Sequence, residues 1–142
     1  MPRCFSLLLS LVVLVLLARS GVGADQPVKE TPTFSAEQLE FFEKKVRPIL
    51  VNRCFECHGG TKAAGGLSLQ SAIGWRKGGE NGPAIVPGKP DESLLVKAIN
   101  YRTLEMPPAD KGGKLAADEI AVLTKWVERG APDPRDGSDV IG

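Results

Sequence analysis

The residues best suited to chemistry are Cys54-Phe55-Glu56-Cys57-His58. Two cysteines two residues apart, with histidine directly after them, is the spacing for covalent attachment of a c-type haem. Two thiols so placed can reach two vinyl groups along one porphyrin edge. The short backbone turn between them then carries His58 under the iron, where an imidazole nitrogen can bind it.

Other uses of a Cys-x-x-Cys pair fit less well. A thioredoxin-like dithiol wants a strand before it and a helix after it, in a parallel-sheet setting. No strand-rich segment precedes Cys54. A structural zinc site wants four ligands, and the chain has one histidine and three cysteines, of which Cys4 lies at the far N-terminus. A disulfide closed across two residues suffers from poor cysteine geometry.

The second chemical candidate is Met106, followed by Pro107 and Pro108. It is the only methionine besides Met1 and stands 48 residues beyond His58. A thioether is a soft neutral ligand that suits haem iron and raises the reduction potential relative to a second histidine. The prolines restrict the backbone and lower the entropy lost in holding the sulfur in place. Core packing is the ordinary use of methionine. Beside a haem motif, and with no other histidine available, ligation is the stronger reading; a lysine or water is the alternative sixth ligand.

Around these residues the chain divides into four parts. Met1-Pro2-Arg3 is a short basic start, Phe5 to Ala18 is almost wholly apolar, and Val22-Gly23-Ala24 offers the small residues a signal peptidase reads. Residues 1–24 are therefore expected to be a signal peptide that directs the chain out of the cytoplasm, to the periplasm. The apolar run is short for a membrane span of about 20 residues, so membrane contact would follow only if the segment stayed uncleaved. Residues 25–34, with Pro27 and Pro32, read as a flexible leader. One domain is expected over 35–134, with a tail or linker over 135–142.

Loss of Arg3 and Arg19 with the signal leaves 16 basic against 17 acidic residues, a net charge of −1. That balance gives no electrostatic basis for binding nucleic acid or an anionic membrane surface.

The domain has the helical period where it has any. Ser35 and Gln38 form a capping-box pattern, and Leu39, Phe42, Val46, Ile49 and Leu50 recur at helical spacing. A helix is expected over about 36–46, with a bend or fresh turn at Pro48. Phe41 and Phe42 read first as core. Gly59-Gly60 and Gly65-Gly66 read as backbone passing near the macrocycle. Leu67, Leu69 and Ile73 are candidates to cover the haem edge. Trp75 could do the same, or donate its indole N–H to a propionate. A second helix is expected to start at Pro90–Ser93 and end near Asn100. A third is expected over about 117–129, with Ala116 a poor cap and Ile120, Leu123, Trp126 and Val127 on its buried face.

The segments "VRPILVNRCFECHGG", "GGLSL", "GPAIVPGKPDESLLVKAI", "EMPP" and "IAVLTKWVERGAP" together resemble class I c-type cytochromes, and more narrowly the planctomycete-type cytochrome c domain. The resemblance runs from about Phe41 to Pro134. It implies an all-α, small class I cytochrome c fold, with three or more helices wrapped around one covalently bound haem c. It implies Cys54 and Cys57 as thioether attachment points, His58 as proximal ligand and Met106 as distal ligand. It also implies terminal helices that cross near the haem edge, with Phe41 or Phe42 against Trp126. The expected function is an exported mono-haem electron carrier serving redox partner proteins, and not an enzyme. A haem enzyme or gas sensor with a labile distal ligand is the alternative. In this family the domain often heads longer chains, so the present chain reads as a stand-alone carrier or a piece of such a chain.

Overall fold

The structure, a computed structural model, describes residues 33–135. The expected signal peptide, most of the leader and all but the first residue of the expected tail lie outside the described residues. The described residues are helical and contain no strand; the nearest approach to one is an isolated bridge between Gly79 and Gly82.

Helix α1, Ala36–Phe41, starts on the expected capping box. The Ser35 hydroxyl accepts from the Gln38 N–H at 3.2 Å, and Gln38 Oε1 accepts from the Ser35 N–H at 2.8 Å. The helical path does not end at 46 as the sequence suggests. It widens into a π-helical stretch, Phe42–Val46, and continues as α2, Arg47–Arg53. Pro48 has no N–H to offer the carbonyl four residues back, and its ring crowds that carbonyl. The wider turn relieves this: the Arg47 N–H reaches back five residues to the Phe42 carbonyl. Phe42, Val46, Leu50 and Cys54, each four residues from the last, are all buried on one face.

Helix α3, Phe55–His58, is a single turn, closed by the His58 N–H donating to the Cys54 carbonyl at 2.8 Å. After it come a 3₁₀ turn at Ala64–Gly66, helix α4 (Ala72–Lys77) and helix α5 (Leu94–Ile99). Ser93 precedes α5 but does not cap it. Its fully buried hydroxyl instead accepts from the Val86 N–H and donates to the Lys89 carbonyl, both at 2.9 Å. A second 3₁₀ turn, Ala109–Lys111, leads to α6, Ala117–Glu128. Ala116 cannot cap through its side chain, but Glu119 accepts from its N–H at 2.9 Å and supplies half of a capping box.

The core forms where the π-helical stretch Phe42–Val46 meets α6. Leu123, Trp126 and Val127 of α6 are fully buried. The Trp126 ring lies 5.9 Å from that of Phe42, tilted by 50°. Trp75 of α4 stands edge-on to Trp126 at 6.1 Å, an arrangement that aromatic quadrupoles favour. Residues 131–135 then strap the core. The Trp126 indole N–H donates to the Pro132 carbonyl at 2.9 Å, and the Ala72 N–H donates to the Arg135 carbonyl at 2.7 Å.

Candidate functional site

A cavity of about 280 Å³ opens between the cysteine-bearing segment, α5 and the loop that follows α5. Its walls are mainly apolar. Leu67 and Leu69 come from the stretch after the glycine loop, Leu94, Leu95, Ala98 and Ile99 from α5, and Leu104 and Pro107 from the following loop. Cys54, Cys57, His58 and Met106 all line it. Four side chains spread over the sequence from 54 to 106 therefore share one apolar pocket.

Local structure explains each placement. Cys54 ends the buried face of α2, and both Cys54 and Cys57 carry free thiols. Burial pushes the Cys54 thiol up to about 11, against the opposing pull of the Arg53 charge. His58 closes α3, and its Nδ1 lies 3.2 Å from the Leu67 carbonyl oxygen. A carbonyl can only accept, so Nδ1 is the donor, and in the neutral tautomer that this selects, Nε2 carries the lone pair. Such an outer hydrogen bond fixes tautomer and ring orientation at histidine metal ligands. Met106 is tied to α5 through its own N–H, which donates to the Ala98 carbonyl at 3.3 Å. The Tyr101 hydroxyl donates to the Pro107 carbonyl beside it.

Of the glycines expected near a macrocycle, Gly65 lines the cavity and Gly59, Gly60 and Gly66 do not; the close approach is between two backbone segments. A Cβ on Gly79 would fall 2.5 Å from the Gly65 carbonyl oxygen, and both residues line the cavity.

Two sequence expectations fail here. Ile73 is 59% exposed and forms no part of the cavity wall. It sits on the outer face of α4, whose inner face is taken by Ala72 and Trp75. Trp75 is buried in the core, and its indole N–H donates to Asp133 Oδ2 at 3.0 Å. It therefore neither covers the cavity nor offers its N–H to a propionate. Phe41 and Phe42 also stay out of the wall and serve as packing, with the Arg129 guanidinium over Phe41 and that of Arg135 over Phe42.

The structure adds wall residues that the sequence did not single out. Arg53 precedes Cys54, Glu56 stands between the cysteines, and Lys111 follows the two prolines. Lys111 Nζ lies 2.6 Å from Glu56 Oε1, and that hydrogen bond holds the ammonium above its ordinary range. Only their nearness to the motif marked Arg53 and Glu56.

This donor set matches haem c in kind: two thiols, an imidazole with one nitrogen free, and a thioether, around an apolar hollow. The strand–helix setting of a dithiol redox motif is missing among the described residues. An all-helical fold with a Cys-x-x-Cys-His motif in its cavity wall defines a c-type cytochrome. Residues 54–110 match the family model described as Planctomycete cytochrome C, which supports a planctomycete-type cytochrome c domain over that stretch. Such a domain implies a covalently held haem c. No curated protein and no solved structure matches the chain.

Proposed function

We propose that the domain is an exported electron carrier holding one haem c, joined through Cys54 and Cys57 and ligated by His58 and Met106. The observation that carries this reading is the convergence of both thiols, the imidazole and the thioether on one apolar cavity. Haem c bound there supplies one-electron chemistry by cycling its iron between ferrous and ferric states.

The chain's own residues prepare that site. The Leu67 carbonyl holds the His58 Nδ1 proton and leaves Nε2 as the donor nitrogen. The contacts of Met106 and Pro107 with Ala98 and Tyr101 fix the distal loop. The leucines of the wall and of α5 exclude water. A soft neutral sulfur ligand stabilises the reduced state, which suits a carrier. There is no second histidine in the chain for acid–base work. Redox partner proteins would meet the carrier weakly, through a small interface at the cavity mouth.

The test is to mature the protein with haem-attachment machinery, weigh it, and cycle it at an electrode. The expected result is one haem per chain and a reversible one-electron wave. A loaded protein that no electrode or mediator can cycle would rule out electron carriage.

A further inference from the structure

Two cross-links join the cysteine motif to the loop that follows Met106. The first is made by Arg53. Its Nη2 donates toward the carbonyl oxygens of Gly112, Gly113 and Lys114, at 3.2, 3.1 and 3.4 Å. Its Nε lies 3.8 Å from Glu119 Oε2 at the start of α6. The second is the Lys111–Glu56 pair at 2.6 Å.

Within its own loop the turn that Arg53 grips is held by the Gly113 N–H donating to the Pro108 carbonyl at 3.0 Å and by the Lys114 ammonium 5.3 Å from the Tyr101 ring, and neither contact reaches the cysteine motif. Gly112 and Gly113 both adopt positive φ, 90° and 65°, and carry no side chain to pack. The far end of the same loop is held at Ala98 and Tyr101. Residues 106–114 therefore bridge from α5 to the cysteine motif, with Met106, Pro107, Pro108 and Lys111 in the cavity wall.

Exposure decides which cross-link matters more. Lys111 and Glu56 are 44% and 70% exposed, and ion pairs so open to solvent contribute little. Arg53 is 26% exposed and makes charge-assisted bonds to backbone, which are the stronger kind.

We propose that Arg53 is a positioning residue that holds the Met106 loop against the cysteine motif and so sets how readily the distal ligand leaves the iron. The Lys111–Glu56 pair assists it. The inference rests on His58/Met106 ligation.

The test uses haem-loaded ferric protein and imidazole as the incoming ligand, followed by absorption. Arg53→Ala should take up imidazole about tenfold faster than the parent protein, from the usual strength of bonds to a charged donor. Glu56→Gln should change the rate by less than about twofold. Arg53→Lys should keep most of the defect, because an ammonium cannot reproduce the guanidinium fork. In a Met106→Ala background, Arg53→Ala should leave imidazole uptake unchanged, since the group it positions is gone. Equal uptake by Arg53→Ala and the parent would overturn the proposal. So would the same acceleration in the Met106→Ala background, which would make Arg53 a general part of the wall. If Arg53→Ala does not mature, Arg53→Lys is read against the same outcomes. A Met106→Ala protein with the parent's spectrum and imidazole uptake would overturn the ligation reading, and this proposal with it.

Discussion

The Trp75 indole nitrogen lies 3.0 Å from Asp133 Oδ2, joining α4 to a strap 58 residues away. The same carboxylate is gripped by Arg135, whose Nε and Nη2 stand 2.8 and 2.7 Å from its two oxygens. Asp133 is buried, and the Arg135 side chain is 11% exposed and stacks over Phe42. Removing one partner of a buried pair strands the other charge. Asp133→Ala should therefore lower the stability of the haem-loaded protein by about 3–5 kcal/mol in urea unfolding. A loss below about 1 kcal/mol, the size of a surface pair, would contradict this placement.

Trp126 meets Phe42, Trp75 and the Pro132 carbonyl at once. Trp126→Ala should cost about 3–5 kcal/mol, as large aromatic truncations do. The same unfolding measurement checks it. A shift no larger than that of a surface substitution would mean that α6 does not seat on the π-helical stretch through this residue.

Much of this was legible in the sequence, for reasons of chemistry. Attachment of haem needs particular residue types at one spacing, so Cys54, Cys57 and His58 stand out however the chain folds. The contact of Phe41 or Phe42 with Trp126 was an expectation from the resemblance to c-type cytochromes, and the structure gives it to Phe42. What stayed hidden depends on partners without a sequence signature. Arg53 donates to backbone carbonyls at 112–114, and any residue can supply a carbonyl. The role of Trp75 was misread because its acceptor, Asp133, sits near an expected tail. The π-helical stretch was hidden too, because Pro48 signals a disturbance without saying whether the helix breaks or widens.

Gly79 carries a more local prediction. A methyl group there would press on the Gly65 carbonyl at 2.5 Å, with backbone on both sides. Gly79→Ala should lower stability by about 1–3 kcal/mol, the range for overpacked sites. Thermal unfolding of the loaded protein reads this directly, and an unchanged midpoint would mean that the two loops separate freely.

Cys54, Leu69, Ala84, Leu95 and Ile99 belong to the core and also line the cavity. Without haem, one wall of a small core faces water. A haem-free Cys54→Ala, Cys57→Ala chain should be largely unfolded by far-ultraviolet circular dichroism. A cooperative melt with native-like amplitude would show that the core closes unaided.

The central claim is that His58 and Met106 ligate the iron of a covalently held haem. The most direct measurement is the absorption spectrum of the matured protein, oxidised and reduced, beside Met106→Ala. The account predicts a ferric sulfur-to-iron charge-transfer band that the substitution abolishes. Haem attachment with the band absent from both proteins would contradict Met106 as ligand, and failure of any haem to attach would contradict the reading of Cys54, Cys57 and His58.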